Sequence, residues 1–256
     1  MGEAAAGPSR RDRQRDATTA EIKRTARELL VRDGEQALSL RAIAREMGMT
    51  APGLYRYFGS HEDLVTAVVA DLLAELTVDV SAARDAVPVT DPVERLLAAC
   101  RAFRRWSLAH PREFQLTFAS PAPRLHHPPV EGSHPAEWLS FGGVFLGIFV
   151  EMWNKEPFAI PRDNELDPAL AAQLRSFSAA VGDVLPLGAL AGYLSGWVRL
   201  YGSVTIEVFG HLGFALADPE ALFEQMLADM SAQLSAPLRP GRARARGEGP
   251  RATALP

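Results

Sequence analysis

The sequence predicts an all-α protein of about nine to ten helices. Apolar residues recur three and four apart along most of the chain, the spacing of one helical face. No stretch alternates apolar and polar residues between turn signals, as a half-buried strand would; valine and isoleucine fall in helical phase instead. Ser, Thr or Asp stands ahead of most apolar runs and Gly or Pro behind them, the punctuation of helix starts and stops.

The elements follow in order. Residues 1–17 are small and charged, with arginines at 10, 11, 13 and 15, and read as a disordered basic arm. Thr18 with Glu21 fits a capping box for a first helix whose inner face is Ile22, Ala26, Leu29 and Leu30, closed by Gly34. Ser39 caps a helix over 40–47, closed by Gly48, and Thr50 caps a short one over 51–58. Ser60 caps a long helix from His61, striped by Leu64, Val65, Val68, Val69, Leu72, Leu73 and Leu76. After the Pro88–Pro92 break a helix runs over 92–110, with Val93, Leu96, Leu97, Cys100, Phe103 and Trp106 inward. Pro111 starts a short helix to Phe118. Residues 120–136 are rich in proline and histidine and read as a loop. Trp138, Phe141, Phe145, Phe149, Met152 and Trp153 make one aromatic helical face. Helices over 169–185, 187–212 and 219–234 follow, the last capped by Asp218 with Leu222, Phe223, Met226, Leu227 and Met230 inward. Residues 237–256 read as a disordered basic tail.

The chain has 256 residues, 47% hydrophobic and 23% charged, an ordinary globular composition that excludes disorder of the whole. Its single cysteine, Cys100, excludes an intramolecular disulfide framework and a multi-cysteine metal cage. Residues 1–20 hold no apolar signal core, and the longest apolar run, 141–150, is far short of the ~18 residues of a spanning helix. A cytoplasmic protein with no membrane partner is expected. The net charge of −4 is an average. Residues 10–70 carry eleven basic and nine acidic groups, residues 71–236 eleven and twenty, and residues 237–256 five and one. An acidic body with basic ends fits an anionic partner at an end, though basic tails also arise by chance.

The informative segment runs from Leu38 to Phe58. Two short helices are joined by a tight turn containing Gly48, the plan of a helix-turn-helix, whose second helix enters the DNA major groove. Ala44 and Gly48 allow close packing, and Leu40, Ile43, Met47, Leu54 and Phe58 supply buried faces. The second helix opens on small residues, which permit close approach to base edges. On spacing alone an ordinary helical hairpin fits as well.

Residues 18–72 resemble the N-terminal domain of the tetracycline-repressor (TetR) family of bacterial transcription regulators. The resemblance is carried by Ser39-Leu40-Arg41-Ala42-Ile43-Ala44, Gly48-Met49-Thr50, Leu54-Tyr55-Arg56-Tyr57-Phe58 and Glu62-Asp63-Leu64. It implies a three-helix DNA-binding domain over 18–66 and a larger helical ligand-binding and dimerisation domain over 67–236. Ser39 corresponds to a phosphate contact at a helix start. Thr50, Ala51, Pro52 and Gly53 open the recognition helix. Tyr55 matches a tyrosine that hydrogen-bonds phosphate, and Tyr57 stands where the family often has histidine. His61 stands where the family usually has lysine, so full positive charge there is missing near pH 7.5. Arg41 fits a phosphate or a structural role equally. The N-terminal arginines are candidates for a neighbouring minor groove.

The body resembles a C-terminal subgroup marked by a Trp…His-Gly (WHG) pattern. The resemblance runs from Phe103 to Phe118; Trp197 with Tyr201-Gly202 departs from the His-Gly expected there. Trp106, Phe114, Phe118, Trp138, Phe141, Phe145, Phe149 and Trp197, with His110, are the candidate ligand-binding residues. Any one of them is more simply core packing; together with Gln115 and Thr117 they fit an apolar cavity with a few polar anchors for a small hydrophobic molecule. Gly192, Gly196, Gly202 and Gly210 in one expected helix suggest close backbone approach, within the chain or across a two-fold.

The expected function is a ligand-responsive regulator, a repressor, binding a palindromic DNA operator as a homodimer and released by a small hydrophobic effector. A helical small-molecule carrier with a vestigial DNA-binding domain, or an activator of the same fold, is the alternative. Nothing points to an enzyme or a cofactor. Gly192-Tyr193-Leu194-Ser195-Gly196 is not a nucleophile elbow, and His61-Glu62 lacks the second histidine of a zinc motif. His126, His127 and His134 share one loop and read as solvated rather than metal-binding.

Overall fold

The computed structural model describes residues 9–119 and 136–235, the side chains of 136–139 excepted. Among these residues there are ten α-helices and no strand. No helix among them is long and apolar enough to cross a membrane. Residues 1–8 of the expected 1–17 arm, residues 120–135 of the expected 120–136 loop with its three histidines, and the tail over 237–256 lie outside the described residues; residues 10–17 of the arm are helical and not disordered, and Ala136 starts a helix.

Helix α1 covers Arg10–Asp33, so it begins eight residues before the expected start at Thr18. The cap is Ser9. Its hydroxyl accepts from the Asp12 N–H at 3.2 Å, and the Asp12 carboxylate accepts from the Ser9 N–H at 3.1 Å. This reciprocal box satisfies two orphan donors, and the Arg, Gln and Ala behind it are good helix formers. Thr18 is a mid-helix residue whose hydroxyl donates to the Gln14 carbonyl. Gly34 ends α1 at φ +84°, a value side chains disfavour.

Helix α2 (Leu40–Glu46) is capped by Ser39, α3 (Ala51–Tyr55) by Thr50 and α4 (His61–Asp85) by Ser60, as the sequence predicts. Helix α3 is shorter than the expected 51–58. The chain tightens after Tyr55, with the Tyr57 N–H bonded to the Leu54 carbonyl, before reaching the Ser60 cap. Ile22, Ala26, Leu29, Leu40, Ile43, Leu54, Phe58, Leu64 and Val68 are buried and form the core of these helices; Met47 and Val65 are only half-buried.

Helix α5 (Pro92–Ala109) is followed by α6 (Pro111–Phe114), which runs on as one π-helical turn over Gln115–Ala119. Then come α7 (Ala136–Lys155), α8 (Pro168–Ala180), α9 (Leu187–Val208) and α10 (Glu220–Leu234). Helix α9 ends four residues short of the expected 212. Gly210 takes φ +68° just beyond it, so this glycine is part of the stop and not of the helix. In α10 the inner face is Phe223, Leu227 and Met230; Leu222, expected inward, is exposed because it falls about a quarter turn off that stripe.

The chain divides into two compact units. The first holds residues up to Ala86 together with Ala99–Val144, and the second holds Val87–Ala98 and everything from Phe145. Each of α5 and α7 contributes one end to each unit.

Candidate nucleic-acid interface

The turn between α2 and α3 is set by Gly48 at φ +64° and by the Met49 N–H bonding back to the Ala44 carbonyl at 2.8 Å. Burial of Ile43, Ala44 and Leu54 fixes the two helices against each other and leaves their opposite sides to solvent. Ser39, Arg41, Thr50, Pro52, Tyr55 and His61 are exposed; Ala51, Gly53 and Tyr57 are half-buried. The nine residues of the expected set therefore occupy the starts of α2, α3 and α4 and the end of α3.

The caps leave chemistry to spare. Ser39 Oγ accepts from the Ala42 N–H at 3.1 Å, and Thr50 Oγ1 accepts from the Gly53 N–H at 3.2 Å. A hydroxyl that accepts one bond still has its own proton to donate, and phosphate is an acceptor. A Cβ at Gly53 would sit 3.1 Å from that same Thr50 oxygen, so glycine keeps the start of α3 open. Arg45 at the end of α2 and Arg56 just after α3 are also exposed and add cationic reach; the expected set omits both.

Helix α1 is tied to the rest of its unit by ion pairs. Lys23 meets Asp71 at 2.6 Å. The Arg27 guanidinium forks onto both Glu75 oxygens at 2.6 and 3.2 Å and reaches Glu113 of α6 at 3.1 Å. The Trp106 indole N–H donates to Glu75 at 3.1 Å, and the His110 ring lies on the Trp106 ring at 4.9 Å. Arg27 holds the Glu75 carboxyl below the usual carboxylate range, with partial burial opposing and the Trp106 bond reinforcing it. Trp106 and His110 thus serve a polar junction of α1, α4, α5 and α6.

The other expected ligand residues group within each unit. In the first, Phe103 is the hub, within 5.5–6.2 Å of Phe114, Phe118 and Phe141. The Thr117 hydroxyl, on the π-helical turn, is buried with no hydrogen-bond partner among the described residues. Other helical hydroxyls of this chain, such as those of Thr77, Ser107 and Thr205, bond the carbonyl four residues back. In the second unit Phe145 meets Trp197, Trp197 stacks on Tyr201, and Phe149 meets Phe158 and Tyr193. A groove of about 70 Å³ opens beside Phe149, Phe158 and Met230. Phe103, Phe158, Tyr193 and Tyr201 are absent from the expected set; the aromatic character and helical phase of Phe103, Tyr193 and Tyr201 were readable, whereas Phe158 lies between helices α7 and α8 and had no phase to mark it. The side chain of Trp138 lies outside the described residues. Cys100 is buried, which pushes its thiol up to about 12, so it carries no thiolate at neutral pH.

Residues 22–68 match the bacterial regulatory proteins of the tetR family, and residues 96–230 match a tetracyclin repressor-like C-terminal domain. The HTH-type transcriptional regulator Rv1816 of Mycobacterium tuberculosis is 30% identical over 219 residues, 84% of this chain and 91% of that protein. The regulator Mb1846 of Mycobacterium bovis matches to the same extent. Among solved structures, the protein SCO4313 is 28% identical with a TM-score of 0.61, over 87% of this chain and 98% of that one. RolR in complex with resorcinol shares the fold at 16% identity and a TM-score of 0.54, over 89% and 97% of the two chains. Fold and interface together define a DNA-binding regulator of transcription built on a helix-turn-helix. The chain belongs to the tetR family of bacterial regulatory proteins.

Proposed function

We propose that the protein is a cytoplasmic, homodimeric repressor that binds a palindromic DNA operator and is released by a small hydrophobic effector. The observation that carries this reading is the exposed edge made by the three capped helix starts, with Tyr55 half-exposed beyond the small residues Ala51, Pro52 and Gly53. Residues 18–66 act as the DNA-binding domain and residues 67–236 as the sensing and dimerising domain. The Ser39 and Thr50 hydroxyls, Arg41, Tyr55, Tyr57 and His61 hold phosphates. The recognition helix is short and carries few long polar side chains, so base readout leans on main-chain, apolar and shape contacts.

The effector reading is supported by the aromatic clusters and by the unsatisfied Thr117 hydroxyl, a polar anchor inside an apolar nest. RolR, of the same fold, is seen with resorcinol, a phenol. Dimerisation is supported by apolar residues left exposed on the last two helices, among them Val198, Ile206 and Leu222. A two-fold dimer sets two recognition helices about one DNA turn apart, ~34–36 Å.

A gel shift on DNA upstream of the protein's own coding sequence tests the reading. Wild type is expected to shift that duplex in a salt-dependent manner, and Tyr55→Ala to lose the shift while keeping its helical content. A shift that survives Tyr55→Ala unchanged removes α3 from the interface.

A further inference from the structure

The first two turns of α1 stand apart from the core of their unit. Every residue from Ser9 to Ala17 is exposed, and burial on α1 starts at Ile22. None of these residues is buried, yet Ser9 and Asp12 cap the turns as helix. They carry Arg10, Arg11, Arg13 and Arg15 against Asp12 and Asp16. At about 100° per residue the two aspartates fall on the side where Lys23 and Arg27 reach α4, and the four arginines spread over the rest of the circumference.

Two ion pairs say where this basic end points. Lys23 pairs with Asp71 and Arg27 with Glu75, both 48 residues apart in sequence. Equal offsets at two successive turns mean that α1 and α4 run parallel in a fixed register. Both helices rise about 1.5 Å per residue, so the register extends back along them. It sets Arg13 level with His61 and Arg15 level with Asp63, and it carries Arg10 and Arg11 past the first residue of α4. The basic turns of α1 therefore stand at the end of the unit where Tyr57, Ser60 and the start of α4 lie.

We propose that Arg10, Arg11, Arg13 and Arg15 form a second DNA contact, on the phosphate backbone beside the groove that α3 enters. This rests on the DNA-binding reading above and extends its footprint. The partner is the backbone and not the minor groove: a helix with side chains is about 10–12 Å across and the minor groove about 6 Å wide. An extended arm, as the sequence suggests, fits that groove; a capped helix does not. The four arginines add affinity without sequence preference, since phosphate carries none.

The test uses the full-length protein with Arg10→Gln, Arg11→Gln, Arg13→Gln and Arg15→Gln combined, because glutamine keeps length and helix propensity. Binding is titrated by anisotropy across a range of salt, on the duplex from upstream of the coding sequence and on a scrambled duplex of equal length. The expected result is a loss of about 10- to 100-fold at moderate salt, by the same factor on both duplexes. The slope of log K against log salt falls by about 0.9 for each phosphate that the variant no longer neutralises. Circular dichroism is expected to stay that of the wild type. Unchanged affinity and slope, in a variant series where Tyr55→Ala still abolishes binding, overturn this inference and leave the DNA-binding reading standing. A loss on the upstream duplex that is absent on the scrambled one also overturns it, because phosphate contacts carry no sequence preference. A wild type that shifts no duplex overturns both.

Discussion

Gly188, at the start of α9, is the most crowded of the described glycines. A Cβ there would lie 2.2 Å from the Pro161 carbonyl oxygen and 3.1 Å from the Ile160 side chain. Gly192, one turn on, has nothing within 4 Å of its own imagined Cβ. The pair makes a clean prediction. Gly188→Ala is expected to lower stability by about 1–3 kcal/mol through overpacking against backbone. Gly192→Ala is expected to leave it unchanged or raise it by about 0.5–1 kcal/mol, because alanine is the better helix former. Thermal unfolding of the two variants measures both. The sequence marked Gly192, Gly196, Gly202 and Gly210 as close-approach candidates, within the chain or across a two-fold; within the chain a Cβ at Gly196 would meet the Met230 side chain at 3.3 Å, and the tightest approach, to backbone, falls on Gly188. Only the path of the 157–161 segment over α9 separates these glycines, and that path is a tertiary fact. Thr50 and Gly53 were readable, because a cap and its bonding partner lie three residues apart.

At the scale of elements, the junction of α1, α4 and α6 turns on Arg27. Its fork onto Glu75 lowers that carboxyl's pKa in the folded state, so the stability it contributes is present above the ordinary carboxylate value of 4.5 and is lost as pH falls through the lower folded value. Wild type is therefore expected to lose melting temperature progressively below about pH 4.5. Arg27→Met is expected to flatten that acid limb. It also leaves Glu113, only 6% exposed at its side chain, without its cation, which costs about 1–3 kcal/mol at neutral pH. An acid limb as steep in the variant as in wild type would show that the pair does not set it. Local punctuation delivered most element starts: Ser39, Thr50 and Ser60 cap the helices assigned to them. It failed at the start of α1, where the first two turns carry no apolar residue and periodicity has nothing to register. It also failed inside the 111–118 helix, where the change from α to π hydrogen bonding has no signature in residue type.

At the scale of the molecule, the proposed assembly depends on α9. Val198 is 68% exposed on it and Ile206, about two turns further on, 42%. Ile206→Glu places a charge on that exposed side without touching α3. Light scattering is expected to give twice 27.8 kDa for wild type and 27.8 kDa for the variant, with operator binding lost together with the dimer. A variant that stays dimeric shows that α9 is not the interface.

The amino-acid sequence by itself determined the all-α class, the order and caps of most helices, the family and the composition of the edge proposed to face DNA. These rest on interactions within a few residues of each other, where spacing is geometry. Only the tertiary structure decided which glycine is crowded, that Trp106 and His110 join the Arg27 junction, and that Phe103 is an aromatic hub. It also decided that the arginines of residues 10–15 ride a helix set level with the start of α4. Those outcomes depend on pairs such as Lys23 with Asp71, far apart in the chain. Such pairs are brought together by burial of apolar faces, which fixes register and direction between helices and leaves no trace in local sequence.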